Sequence, residues 1–255
     1  MKRARRYLLL AAIVLAAGFA GYEHWRTKNI GAVQRGFRVA ERKGCFTCHG
    51  PGGLRGMANP GYGLDDIPPF TGGLISMYAQ NESEIREWIL DGAPRRVRDD
   101  PEQWKHRKNA IILMPAWRGI LSDRELSDLV AYVKAVSDFE HPPEGPPDDG
   151  RQVALKLGCF NCHGPQGRGT LPNVHAFKGY IPAWDGGDFE ELAKDDGEIR
   201  EWILDGGPKR LMGNPIARWF LTRQPIKMPA YRGHVTDDDV TALTAYIRWL
   251  RRHPY

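Results

Sequence analysis

Apolar residues recur at helical spacing in three stretches of the first half of the chain, and no stretch alternates convincingly like a strand. The third stretch opens with Ser122 and Glu125, which form a capping box, and its counterpart in the second half opens at Thr236. Gly92 follows the second stretch as a helix stop. The pattern predicts helices over the approximate segments 34–44, 82–91, 122–137 and 151–158, and again after residue 236.

The first 30 residues differ from the rest of the chain. A basic start is followed by an apolar run that begins at Tyr7 and ends at Tyr22, as in a secretory signal peptide. The run is short for a membrane-spanning helix but long for the apolar core of a signal peptide. It also has aromatic residues at its edges, Trp25 among them. Residues 1–30 are therefore predicted to hold an uncleaved transmembrane helix, with cleavage before Gly21 as the alternative. Both interpretations export the remainder of the chain.

The sequence repeats itself at an offset of 114 residues. Segment 84–92 aligns with 198–206, and segment 114–119 aligns with 228–233. A unit of this length that occurs twice is typical of a duplicated domain rather than of a solenoid. The predicted organisation is the N-terminal segment followed by one domain, a proline-rich semi-rigid linker and a second domain, with bounds 1–30, 31–140, 141–150 and 151–255.

The formal net charge of +5 comes from one segment. Residues 1–30 hold six basic residues and one acidic residue, whereas residues 31–141 and 142–255 each hold fifteen of either sign. The two domains are thus formally neutral. Neither domain has the excess of basic residues that binding to nucleic acid requires, and no nucleic-acid partner is predicted.

All four cysteines lie in two matching pentapeptides, Cys-Phe-Thr-Cys-His and Cys-Phe-Asn-Cys-His. Cys-x-x-Cys-His is the attachment site of c-type haem, in which both thiols bond to the haem vinyl groups and the histidine ligates the iron. A zinc site or a dithiol redox pair does not need the histidine, and neither leaves two isolated cysteine pairs. The sequence predicts two covalently bound haem c groups, held by Cys45, Cys48 and His49 and by Cys159, Cys162 and His163.

The repeat also selects the sixth iron ligands. Met114 and Met228 are the methionines that correspond under the 114-residue offset, and each lies 65 residues after its motif histidine and before a proline. We expect both to ligate iron, while core methionines remain the alternative. Among the unmatched histidines, His106 is the strongest rival ligand.

Each copy resembles a class I cytochrome c domain. The resemblance rests on Cys-x-x-Cys-His-Gly near the start, Met-Pro-Ala-aromatic after a long loop, and a capped C-terminal helix that contains Ala-Tyr; it covers residues 33–252. It implies an all-α fold, His and Met as axial ligands, and one-electron transfer. The whole chain is similar to membrane-anchored di-haem cytochromes c, including di-haem subunits of respiratory oxidases. The expected architecture is two tandem class I cytochrome c domains after an N-terminal transmembrane helix.

The resemblance suggests further roles near the haems. Pro68 and Pro182 resemble the prolines whose carbonyls orient the ligating histidine. Arg118 and Arg232 are candidate partners of the haem propionates, with solvated arginines as the alternative. The charged cluster at 95–108 is either a docking patch or a mixed solvated hairpin.

With both axial positions filled, the expected function is electron transfer rather than catalysis. The predicted partners are redox proteins, such as a quinol-oxidising complex, dehydrogenase, oxidase or reductase. The expected location is the bacterial cytoplasmic membrane as a single-pass protein, with the haem domains in the periplasm; a soluble periplasmic carrier is the alternative. A di-haem peroxidase or a haem gas sensor would need an iron with an open or displaceable distal ligand.

Overall fold

The computed structural model describes residues 2–62, 65–71 and 73–255 of the chain. Helix α1 covers Lys2–Thr27, and its segment Arg5–Thr27 is long and apolar enough to cross a membrane. No residue of this segment is buried. At about 1.5 Å per residue, these 23 residues reach roughly 34 Å, which exceeds the ~30 Å hydrocarbon core of a bilayer. The helix is thus longer than the apolar run on which the prediction was based.

The two domains contain the same order of helices. Those of the first domain are α2 Ala32–Arg42, α3 Phe46–His49, α4 Ile75–Tyr78, α5 Glu82–Asp91, α6 Arg95–Arg98, α7 Pro101–Lys108 and α8 Asp123–Ser137. Those of the second are α9 Pro146–Lys156, α10 Phe160–His163, α11 Phe189–Leu192, α12 Asp196–Asp205, α13 Lys209–Gly213, α14 Pro215–Arg223 and α15 Asp237–Arg252. Strands β1 Leu171–Pro172 and β2 Tyr180–Ile181 form a two-residue antiparallel pair. The predicted helical fold is confirmed.

Helix capping follows the sequence closely. The capping box predicted at Ser122 is present. Thr236 also forms a capping box, in which its partner is Asp239, the third residue of helix α15. Helix α5 has the predicted bounds, and Gly92 ends it in a left-handed conformation with φ 73°. These local signals fix the helices that carry most of each core.

The proline-rich linker departs from the prediction. We expected a polyproline connector over 141–150, but helix α9 already begins at Pro146. Proline fits the first turn of a helix because its missing N–H would have no intrahelical partner. Asp148 and Asp149 in the same turn interact favourably with the helix dipole. The prediction of a connector is therefore wrong for residues 146–150, which are helical.

The N- and C-terminal helices of each domain cross at a glycine. A Cβ on Gly36 of α2 would lie 1.9 Å from the Asp128 carbonyl oxygen in α8, and one on Gly150 of α9 would lie 1.9 Å from that of Ala242 in α15. Neither helix can approach its partner this closely with a larger residue. The crossing helices, with α5 or α12, form the wall of an apolar core in each domain.

The two domains also contact each other directly. Gln166 Nε2 donates to Asp138 Oδ1 at 2.6 Å and to the Glu140 carbonyl at 2.8 Å. At the other end of the contact, Gln34 Oε1 accepts from the Thr170 N–H at 3.1 Å. These bonds join the segment after α8 and the start of α2 to the second domain.

Candidate cofactor sites

Each domain contains a cleft lined by equivalent residues. Cys45, Cys48 and His49 of the first haem motif line the first cleft together with Met114, and the surface of this cleft is almost entirely apolar. The second is lined by the Cys159–His163 motif and Met228. Every residue predicted from the sequence as a haem-attachment or iron-binding residue thus lies at one of the two clefts.

One helical turn positions each cysteine pair. Helix α3 brings Cys45 and Cys48 to one face, and α10 does the same for Cys159 and Cys162. Burial raises the pKa of the Cys159 thiol to about 11, so this thiol is protonated at pH 7. Over the described ranges, no three His, Cys, Asp or Glu side chains are arranged to hold a metal ion, as a zinc site would require.

The motif histidines are oriented by backbone carbonyls. His49 Nδ1 lies 3.0 Å from the Pro68 carbonyl oxygen, and His163 Nδ1 lies 3.2 Å from that of Pro182. The prediction that these prolines orient the rings is confirmed. Burial lowers the pKa of His163 to about 4, so its ring is neutral at pH 7. With Nδ1–H donated to the carbonyl, Nε2 keeps a lone pair for an iron ion.

An aromatic side chain packs against each of these rings. The Phe70 ring centroid is 4.6 Å from that of His49, and the Trp184 centroid is 4.9 Å from that of His163. Phe70 and Trp184 correspond under the 114-residue offset. The imidazoles are therefore held both by a hydrogen bond and by packing.

Two asparagines hold the methionine loops, and the sequence analysis missed them. Asn59 donates to the Ile112 carbonyl at 3.0 Å and accepts from the Ile112 N–H at 2.9 Å. Asn173 bonds Ile226 in the same way, at 2.8 and 3.2 Å. Each bonded isoleucine lies two residues before a cleft methionine. Because Asn59 and Asn173 match at the 114-residue offset, the repeat contained the signal that would have identified them.

The arginines after the methionines bind carboxylates of their own domain. Arg118 forms two hydrogen bonds to Asp91, at 2.7 and 2.8 Å, and Arg232 forms two to Asp205, both at 2.8 Å. Since these carboxylates end helices α5 and α12, each arginine ties a methionine loop to a helix. The pairing of these arginines with haem propionates stays a prediction.

Arg107 is a further charged residue of the first cleft. Its guanidinium lies over the Trp88 ring at 4.9 Å, and only 6% of the residue is exposed. Its Nε has no hydrogen-bond partner among the described residues, and burial lowers the pKa of the group. Residues 95–108 form the two short helices α6 and α7 rather than a hairpin, and Arg107 is buried while most of their other charged side chains are exposed. Their role as a docking patch stays a prediction.

The other candidate ligands do not reach the clefts. Met57, Met77 and Met212 are 39–69% exposed and line neither cleft, and His175 is exposed as well. The side chain of His106 lies outside the described part of the chain. Among the described residues that line the two clefts, the methionines are therefore Met114 and Met228, the two that the repeat selected.

A haem fits these surroundings. The apolar walls suit a porphyrin, each cleft is lined by two thiols, an imidazole and a thioether, and Arg107 offers the first cleft a buried cation with an unsatisfied N–H. In the second cleft the corresponding position is Leu221, and the buried Lys178 is paired with Asp188. The two clefts therefore differ in charge.

Two family models match the chain, one over each domain. Residues 31–133 match the family "Cytochrome C oxidase, cbb3-type, subunit III", and residues 147–251 match "Cytochrome c". Among solved structures, a chain of the reducing HAO-like protein complex of Kuenenia stuttgartiensis is 20% identical, with 85% of this chain and 95% of that chain covered and a TM-score of 0.27. No curated protein matches the chain. The chain consists of an N-terminal apolar helix followed by two domains of the cytochrome c family.

Proposed function

We propose that the protein carries two haem c groups and relays single electrons between redox partners. Cytochrome c domains bind haem c covalently, and haem iron supplies reversible one-electron transfer. The observation that carries the proposal is that each cleft is lined both by a motif histidine, whose pKa burial lowers, and by the methionine that the repeat selects. With these as axial ligands, neither site keeps a position for a substrate.

The equivalence of the two clefts argues against the enzyme alternative. A peroxidase or gas sensor needs one iron whose distal ligand is absent or displaceable. Here Met114 and Met228 lie on loops held by the same asparagine and arginine bonds in both domains. A loop bonded at both ends keeps its methionine in place, which favours electron transfer at both sites.

Spectroscopy tests this proposal. We expect both haems of the purified holoprotein to be low-spin in the reduced and oxidised states and to bind neither carbon monoxide nor cyanide. The measurement is absorbance and electron paramagnetic resonance with and without each ligand. A high-spin fraction that binds carbon monoxide would favour the di-haem peroxidase.

The proposed location follows from helix α1. An apolar helix of this length at the N-terminus is either a membrane anchor or a signal sequence, and we favour a single-pass anchor in the bacterial cytoplasmic membrane with both haem domains in the periplasm. The proposed partners are a quinol-oxidising complex or dehydrogenase as donor and an oxidase or reductase as acceptor. An intact N-terminus on protein from native membranes supports the anchor; a mature chain that starts near Gly21 supports a soluble periplasmic carrier.

Arg107 is proposed to pair with a propionate of the first haem, because it brings an unsatisfied buried N–H to that cleft. Arg107→Leu removes a cation close to the redox centre, so we expect the potential of one haem to fall by on the order of tens of millivolts. Spectroelectrochemical titration measures the change, and Arg223→Leu, at an exposed position of α14, is the control. Equal potentials in the wild type and Arg107→Leu would contradict the pairing.

A further inference from the structure

Two corresponding helices of the two domains carry different kinds of exposed side chain, charged in the first domain and apolar in the second. Helices α7 and α14 correspond under the 114-residue offset. Positions 102 and 105 of α7 are Glu102 and Lys105, both exposed. Their counterparts in α14 are Ile216 and Trp219, which are 69% and 51% exposed. The first domain has charged residues at these two positions, whereas the second has an exposed isoleucine and an exposed tryptophan. Such an apolar surface indicates contact with an apolar partner.

The loop between β1 and β2 extends this surface. Val174 and Phe177 are 67% and 52% exposed. The Phe177 ring centroid lies 5.1 Å from that of Phe220, which in turn lies 4.8 Å from that of Trp219. We call Val174, Phe177, Ile216 and Trp219 the apolar patch.

The apolar patch adjoins the end of the apolar helix α1. The Trp25 ring centroid of α1 lies 5.5 Å from that of Phe177, in an edge-to-face arrangement. The Tyr180 hydroxyl donates to the Arg26 carbonyl at 3.0 Å, and the Arg26 guanidinium donates to the Lys178 carbonyl at 3.5 Å. The second domain is thus fixed against α1 at the level where that helix would leave the bilayer.

The charges around the patch suit a lipid surface. Helix α14 contains Arg218 and Arg223 and no acidic residue, and Lys227 follows it. None of these three cations forms an ion pair within the part of the chain that the structure describes. Aromatic and aliphatic side chains bordered by unpaired cations are typical of segments that lie at the headgroup level of anionic membranes.

We infer that the apolar patch lies in the headgroup region of the bilayer that α1 spans, so that lipid covers it. Phe177 and Ile216 also line the second cleft, whose mouth is therefore held at the membrane surface. The first domain, with Glu102 and Lys105 at the corresponding positions, stays in water. This inference rests on the proposed membrane anchoring.

Nitroxide labels on full-length holoprotein in phosphatidylethanolamine–phosphatidylglycerol vesicles test the inference. In the loaded protein the native cysteines are bonded to haem, so single cysteines introduced as Ile216→Cys or Val174→Cys take the label. Glu102→Cys and Pro60→Cys are the matched controls in the first domain, and Leu15→Cys reports whether α1 is inserted. Power saturation compares collisions with oxygen, which enters lipid, and with a nickel chelate, which stays in water.

We expect the oxygen-to-nickel ratio at positions 216 and 174 to be several-fold higher than at positions 102 and 60. A high ratio at Leu15 together with water-like ratios at 216 and 174 would overturn the inference and leave the anchor intact. Water-like ratios at Leu15 as well would overturn both the anchor and the inference. Because the vesicles contain no other protein, a patch that is covered by a protein partner also gives water-like ratios at 216 and 174 and overturns the inference.

Discussion

Replacing Met228 with alanine is expected to leave both haems attached while one of them becomes high-spin and its potential falls. Attachment persists because the substitution leaves Cys159 and Cys162, which form the covalent bonds, and the ligand His163 unchanged. The potential falls because a thioether opposite histidine stabilises the reduced iron. Axial ligands set haem potentials over a range of roughly 0.8 V, so we expect a change on the order of hundreds of millivolts.

The measurements are the absorbance band of thioether-bound iron, the spin state and a redox titration. Met212→Ala is the matched control, since Met212 belongs to the same domain, is 39% exposed and does not line the cleft. Met114→Ala should produce the same change at the other haem. An intact spectrum in Met228→Ala, with loss of the band in Met212→Ala or His175→Ala, would show that the repeat selected the wrong ligand.

The parts of the structure that depend on neighbouring residues in sequence were predictable. Helix α5 and the Ser122 capping box follow from apolar spacing and from side chains within one turn of the backbone that they cap. The clefts were predictable for a different reason. The 114-residue repeat shows which Cys, His and Met residues occur twice. In each domain the fold places those residues around a cleft, and the two clefts are equivalent in position.

The unpredicted features depend on partners that are distant in the chain. Arg118 binds Asp91 because the loop after Met114 returns to the end of α5, which sequence spacing does not show. Helices α7 and α14 were missed because each is short, although Asp100-Pro101 and Asn214-Pro215 supply a cap and a first-turn proline.

Arg168 shows the limit of the repeat as a guide. Its counterpart under the 114-residue offset is Leu54, which is 59% exposed, whereas Arg168 is fully buried. The difference arises because the C-terminal residues of the chain cover the second domain at this point. Arg168 donates to the His253 carbonyl at 2.7 Å and lies 4.1 Å from the Tyr255 ring centroid.

The ion pair of Arg168 with Asp185, at 2.6 Å, carries the second large prediction. Asp185 is 9% exposed, and burial raises the pKa of its carboxyl although Arg168 opposes the change. Arg168→Ala leaves this carboxylate buried without a counter-ion, so we expect a loss of about 3–5 kcal/mol in the free energy of unfolding. Denaturant titration followed by tryptophan fluorescence measures the loss. Arg248→Ala breaks the exposed pair with Asp196 and should cost only about 0–1 kcal/mol.

The pH dependence separates the buried carboxylate from a simple loss of packing. The Arg168→Ala variant loses the main group that opposes the effect of burial, so the folded-state pKa of Asp185 rises further above its unfolded value. A folded state that holds a proton more tightly loses stability as pH rises through this window. The destabilisation should therefore be larger at pH 7 than at pH 5, where protonation relieves the buried charge. If the loss is the same at both pH values, it comes from the contacts with His253 and Tyr255 and not from the unpaired carboxylate.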